Sequence, residues 1–187
     1  MYVRLEPLGE QHADALVAAG CGHGLFSYFP FSIETEAAMR MYVKLNVAAI
    51  ASGTILPFVT IDLATNRLVG GTSFLAIERE HKRLEIGATW ITPSHQRSRV
   101  NTEAKMLQLT HCFETLSCNR VEFKTDERNA KSLKALARIG AKEEGRFRSH
   151  MVMPDGHLRT SVWFSVIANE WPTVKQHLAE KLAVRTC

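Results

Sequence analysis

Cysteine is scarce. Four residues, at positions 21, 112, 118 and 187, form no CxxC pair and share no metal-like spacing with a histidine. That excludes a disulfide framework and a thiolate zinc site, and reads as reduced thiols in a cytoplasmic protein. Long apolar runs are missing too. None approaches the ~20 residues that span a bilayer, so no membrane partner is expected. The start, MYVRLEPLGEQHADALVAAG, lacks a basic region followed by an apolar core, so no signal peptide is expected. There is no internal repeat, low-complexity tract or Gly/Ser/Pro-rich linker. There is also no HExxH, no acidic triplet, no GxSxG elbow and no GKS or GKT phosphate loop. No metal is expected. Charge of one sign is not concentrated: the formal net charge is +4. That mild bias suits an anionic ligand. The basic residues do not gather into one stripe with aromatics between them, so nucleic acid is not an expected partner.

What is present is ordinary globular material. The chain has 187 residues, 45% of them hydrophobic and 22% charged, enough for one core and one domain spanning 1–187. Tyr2 to Leu8 reads as a strand and Gln11 to Ala19 as a helix. Gly22 to Phe31 reads as an aromatic loop broken by Gly and Pro. Glu34 to Ser52 reads as a longer amphipathic helix with Ala37, Met41, Leu45 and Ala48 at helical spacing. Ile55 to Asp62 and Arg67 to Ile77 flank a turn at Leu63 to Asn66, an antiparallel hairpin. Leu84 to Thr92 alternates: Leu84, Ile86, Ala88 and Trp90 face one way, Glu85, Gly87, Thr89 and Ile91 the other. Pro93 ends that strand. A helix over Asn101 to Leu116 carries Met106, Leu109, Phe113 and Leu116. Arg120 to Thr125 is a strand, and Asn129 to Ile139 a helix stopped at Gly140. Strands Lys142 to Met153 and Leu158 to Val166 turn at Pro154-Asp155-Gly156, and a last helix follows. The stretch Leu84 to Thr125 is a strand–helix–strand crossover, which demands one parallel pair. The remaining pairs read as antiparallel. The fold class is therefore α/β with a mixed, mostly antiparallel sheet, one splayed parallel pair and helices on both faces.

Two runs carry a family resemblance. LEIGATWITPSHQRSRVNTEAKML resembles the acyl-CoA motif of the GNAT superfamily of N-acetyltransferases: strand, short basic loop, helix. RVEFKTDERNAKSLKALARIGAKEEG resembles the motif that follows it, strand, Asn-x-x-Ser, helix, Gly-Ala. The element order matches over roughly residues 3 to 168, and the branch most similar is the one that acetylates ribosomal-protein N-termini (RimJ/RimL type). One departure stands out. The family loop reads Gln/Arg-x-x-Gly-x-Gly or Ala, whereas here Arg99 and Asn101 hold the two small positions.

The resemblance implies acetyl-CoA as co-substrate and an amine as acceptor. A helix N-terminus favours phosphate through its unpaired N–H groups and its dipole. That assigns the loop Gln96, Arg97, Ser98, Arg99, Val100, Asn101 and Thr102 to the phosphates; the bland reading is a solvated basic turn. The family places pantetheine along the strand edge matching Trp90, Ile91 and Thr92, where a backbone N–H would polarise the thioester carbonyl. Asn129 is either a plain helix cap or a pantetheine contact as well. Ser132 is either an ordinary first-turn residue or a group near the sulfur that helps the thiolate leave. The acceptor must lose a proton, because an ammonium is not nucleophilic. Glu85 is the first candidate base, against a salt-bridged strand glutamate. Asp126 is the second, and ordered water needs no dedicated base. The aromatics of Leu25 to Phe31 either wall the acceptor site or fill a core. His95 and His150 read as structural or exposed.

The acceptor stays open between a protein N-terminus, which needs an open groove, and a small amine such as an antibiotic, amino acid or polyamine, which needs a closed pocket. A non-catalytic CoA-binding module is the alternative of another class. A homodimer is compatible with the sequence but unsupported by it.

Overall fold

Turn chemistry starts the sheet. β2 (Leu56–Asp62) and β3 (Arg67–Glu78) form the expected antiparallel hairpin. The Asp62 carboxylate closes its turn by accepting from the Thr65 N–H at 3.1 Å and the Thr65 hydroxyl at 2.6 Å. Asn66 takes the left-handed conformation, φ 53°, which asparagine tolerates. β1 (Val3–Pro7) adds antiparallel to β2. In this computed structural model, which describes residues 1–183, seven strands form one sheet in the order β1-β2-β3-β4-β5-β7-β6. Cys187 lies outside the described residues. Cys21, Cys112 and Cys118 are free thiols.

β4 (Arg83–Ile91) leads through α3 (Val100–Thr110) to β5 (Arg120–Asp126), the parallel partner that the crossover demanded. α3 ends in one wider π turn, His111–Thr115. After α4 (Ala130–Arg138), β6 (Lys142–Val152) and β7 (Leu158–Ile167) form the last hairpin, with β7 inserted between β5 and β6. α5 (Trp171–Ala183) closes the described chain.

Helices cover both faces. Leu109 of α3, Leu136 of α4 and Leu178 of α5 pack on Leu84, Ile86, Val121, Phe123 and Val162. On the other face, α1 (Ala13–Gly20) and α2 (Glu36–Ala49) pack over Val59 and Ile61. Thr35 starts α2 by accepting from the Ala38 N–H at 3.2 Å.

The sequence reading of α2's apolar stripe needs correction. Ala37, Met41, Leu45 and Ala48 are all exposed, Met41 at 55% and Leu45 at 60%. The buried row is Met39 and Val43, flanked by Tyr42 and Val47. Two apolar rows run along this helix on different faces. Periodicity alone cannot choose between them; contact with Leu16 and Phe26 does.

Candidate active site

The site begins with a defect in β4. Gly71 pairs with Trp90 and Ser73 with Gly87, so Ala88 and Thr89 together oppose Thr72. This is a β-bulge, with Ala88 at φ 47°. An extra residue reverses the side-chain phase beyond it. The even alternation expected across Leu84 to Thr92 therefore breaks at Ala88. Leu84 and Ile86 face α3 as expected, but Thr89 and Ile91 join them, and Trp90 turns to the α1/α2 face beside Glu85. Glycines on β3 make room for this. A Cβ at Gly70 would meet the Trp90 carbonyl oxygen, and one at Gly71 would sit 2.8 Å from the Trp90 indole nitrogen.

The parallel pair opens just before the bulge. β4 and β5 are paired only at Arg83 with Arg120, Leu84 with Val121 and Glu85 with Glu122. β4 then follows β3 while β5 follows β7 out to Asp126. The strands diverge toward Thr92 and Thr125, leaving a slot with a free β4 edge. Not every expected donor is available on that edge. The Thr92 N–H bonds the Val69 carbonyl at 2.8 Å, and the Ile91 carbonyl accepts from the Gln96 side-chain amide at 3.1 Å. Of the three edge residues, Ile91 presents its N–H toward the slot, because successive N–H groups point opposite ways in an extended strand.

A tight loop joins β4 to α3. His95 serves this turn, its Nδ1 lying 3.0 Å from the Thr92 hydroxyl and 2.9 Å from the Ser94 hydroxyl. The Ser98 hydroxyl donates to the His95 carbonyl at 2.6 Å and accepts from the Val100 N–H at 3.2 Å. The left-handed residue is exposed Arg97, φ 61°. Arg99 has an ordinary helical φ of −74° as N-cap, and Asn101 lies inside α3. The two residues that replace small ones therefore bring bulk and charge, not backbone strain. The Arg99 guanidinium stacks 4.9 Å from the Tyr2 ring and donates to its hydroxyl. Buried Glu103, in the same helical turn, accepts from the Tyr2 and Val3 N–H groups, the latter at 2.7 Å. Asn101 Oδ1 is buried without a hydrogen-bond partner among the described residues. Across the slot, Asn129 Oδ1 accepts from the Ser132 N–H at 3.1 Å, so the cap reading of Asn129 holds, and Ser132 is half-buried.

The opposite face carries the charge. Glu85 is 5% exposed and ion-paired with Lys124 at 3.2 Å. Burial pushes its carboxyl above the ordinary glutamate value, with Lys124 working against that. Gly87 leaves it room, since a Cβ there would lie 2.7 Å from Glu85 Oε1. Asp126 is a poor base by contrast. Arg128 grips it through Nη2 at 2.9 Å and its backbone N–H at 2.8 Å. Burial would raise this carboxyl, but the Arg128 hydrogen bonds outweigh it and hold the carboxyl low.

Residues of the aromatic loop differ in burial. Phe26 is core, edge-on to Trp90 at 5.5 Å, while exposed Tyr28 lies under the Arg128 guanidinium at 5.8 Å. His150 Nδ1 lies 3.0 Å from the Ser161 hydroxyl. Burial, then Lys124 and Arg159, push its pKa below the ordinary histidine value.

Three participants escaped sequence reasoning. Lys124 and Arg159 stand on β5 and β7 and belong to no motif that singles them out. Lys105 is 4% exposed and donates to Thr72, Thr89 and Gln108 at 3.2, 3.0 and 2.9 Å, tying the bulge to α3. A signal existed, because Lys105 lies in the buried i, i+4, i+7 row with Leu109 and Cys112.

A bulged, splayed parallel pair facing a helix N-terminus defines an acyl-CoA transferase architecture. The sequence matches the family described as acetyltransferase (GNAT) domain over residues 3–142, and the chain belongs to that family. It is 28% identical over 114 residues to "Uncharacterized N-acetyltransferase p20" of Bacillus licheniformis, a match covering 61% of this chain and 63% of that relative's length. A GCN5-related N-acetyltransferase from Brucella melitensis superposes with a TM-score of 0.89 at 34% identity, over 97% of this chain and 83% of that one. RimJ of Mycobacterium smegmatis, in complex with CoA-disulfide, superposes with a TM-score of 0.83 over 99% and 91% of the two chains. At 22% identity, that likeness is one of fold. Among the described residues, no group of three His, Cys, Asp or Glu side chains is placed to hold a metal, and no helix is long and apolar enough to cross a membrane.

Proposed function

We propose that this chain transfers an acetyl group from acetyl-CoA to a primary amine, with a polypeptide N-terminus as the acceptor. The observation that carries this reading is the slot between β4 and β5, with buried Glu85 at its closed end on the face away from α3. The residues present fit the co-substrate. A helix N-terminus and Arg97 line one end, and an open strand edge and Asn129 line the middle.

Acetyl-CoA supplies the activated thioester. The protein's part is to hold and orient it. Backbone amides from Arg97 to Thr102, apart from Val100 whose N–H bonds the Ser98 hydroxyl, and the charge of Arg97 receive the phosphates. Trp90 and Ile91 offer the strand edge, with the Ile91 N–H toward the thioester oxygen. The Asn129 amide nitrogen is left for pantetheine, and Ser132 stands near the departing sulfur. Glu85 accepts the proton that the ammonium must lose, directly or through water. A carboxylate held above its ordinary range is a better acceptor for that proton than the tightly bonded Asp126.

An extended acceptor suits the open side of this face. α1 and α2 lie over β2 to β4, whereas β6 is exposed along nearly its whole length. The test is thiol release from acetyl-CoA against N-terminal peptides, free amino acids and polyamines. Turnover of peptides is expected. Turnover of small amines alone would move the acceptor class, and acetyl-CoA binding without release to any amine would make the chain a binding module.

A further inference from the structure

We infer that the acceptor carries a carboxylate close to its amine, and that Arg159 receives it. This rests on the slot being the acetyl-transfer site. Arg159 stands on β7, paired with Met151, just beyond the point where Ser161 pairs with Asp126 at the end of β5. It is only 5% exposed. Its one hydrogen bond among the described residues runs from Nη1 to the Tyr28 carbonyl at 3.4 Å, and its Nε is buried without a partner.

The other cations on this face are neutralised. Lys124 pairs with Glu85, Arg128 with Asp126, and Arg83 and Arg120 with Glu122. Arg159 has no ion pair among the described residues, although Asp126 and Glu85 are close enough to act on its charge. A buried guanidinium with no carboxylate in ion-pair reach is costly, because the more distant charges of Asp126 and Glu85 offset only part of its desolvation. One pleat beyond Ser161, the Trp163 indole nitrogen is also a buried donor without a partner among the described residues. This face therefore lacks acceptor oxygens, not donors. A planar guanidinium takes a carboxylate through two parallel hydrogen bonds. The charge of Arg159 and that of Glu85 act on each other through space, so an acceptor whose amine is directed at Glu85 can extend its carboxylate toward Arg159. The same surplus positive charge disfavours a polyamine.

Two sources supply this chemistry: the α-carboxylate of a free amino acid, or an acidic side chain next to a peptide's N-terminus. Matched pairs separate them. One pair is an amino acid and its carboxamide. The other is two peptides that differ by Glu or Gln at the second residue. Wild type should prefer the carboxylate member of one pair by about tenfold or more in kcat/KM, the size expected of a charge-assisted contact. Arg159→Gln should erase that preference, by a loss of about tenfold or more on the carboxylate member beyond any change on the carboxamide member, with acetyl-CoA affinity within about twofold. Arg159→Lys, which keeps charge but loses the fork, should retain part of it. Equal handling of both pairs by wild type overturns the proposal, as does equal loss on both members in Arg159→Gln. Calorimetric binding of each pair to CoA-saturated wild-type protein reads the same preference without turnover or a variant. If no amine is acetylated but the carboxylate still binds more tightly, the transfer reading fails while the Arg159 site stands. Equal binding there overturns the site.

Discussion

Glu85 and Lys105 are both buried ionisable residues, and their pH signatures differ. Burial raises the Glu85 carboxyl, so as a base it loses its competent, deprotonated form at a higher pH than an ordinary glutamate. The acidic limb of kcat/KM should therefore lie above the usual glutamate range. Glu85→Gln should lower kcat by ~10²–10⁴-fold and remove that limb while acetyl-CoA binding is kept. Wild-type rates at every pH would place the base elsewhere. Burial pulls Lys105 the other way, down to about 7. The unfolded lysine titrates near ~10.4, so between these values the unfolded chain binds more protons than the folded one. Stability contributed by this group must then rise with pH across that window, by up to ~1.4 kcal/mol per unit. Lys105→Met should fold, because the Thr72 and Thr89 hydroxyls still bond each other at 2.8 Å. It should also lose that increment in urea unfolding between pH 7 and 9.5. An unchanged slope would show that Lys105 titrates as an exposed lysine.

At the scale of elements, the β4–α3 loop separates two arginines that look alike in sequence. Arg97 is exposed in a left-handed conformation, while Arg99 is folded onto Tyr2. Arg97→Ala should weaken acetyl-CoA binding by ~1–3 kcal/mol without changing stability. Arg99→Ala should act chiefly on stability, by ~0.5–1 kcal/mol, because it removes a cation–π contact that ties β1 to α3. Titration calorimetry and urea unfolding of the two single variants check this; identical behaviour would mean that the loop holds phosphate by both side chains. The bulge shows what is hard to read at this scale. The strand Leu84 to Thr92 was legible, but its second half was assigned the wrong face. One residue at positive φ, Ala88, moves Trp90 across the sheet, and nothing in an alternating run of side chains announces it.

For the molecule as a whole, co-substrate binding is a stability statement. At 100 times Kd, acetyl-CoA should stabilise the fold by ~2.7 kcal/mol. For a chain of this size, that is a Tm rise of roughly 5–11 °C. CoA should do much the same, since the phosphate and pantetheine contacts are shared. No shift with either ligand would remove the slot from the list of binding sites.

The sequence by itself determined the element order, the single parallel crossover, the turn residues and the two motifs that bracket the slot. These are local patterns, written in periodicity and in residues such as Pro93, Asn129 and Gly140 whose backbone or capping preferences act within a few positions. Tertiary structure alone decided which apolar row of α2 is buried, which way Trp90 points, that the Thr92 N–H is spent on Val69, and that Lys124 pairs with Glu85 while Arg159 has no ion pair among the described residues. Each of these depends on partners distant in the chain. Burial and charge pairing are properties of what surrounds a side chain, and for Arg159 that surrounding is assembled from β5, β7 and the loop carrying Tyr28.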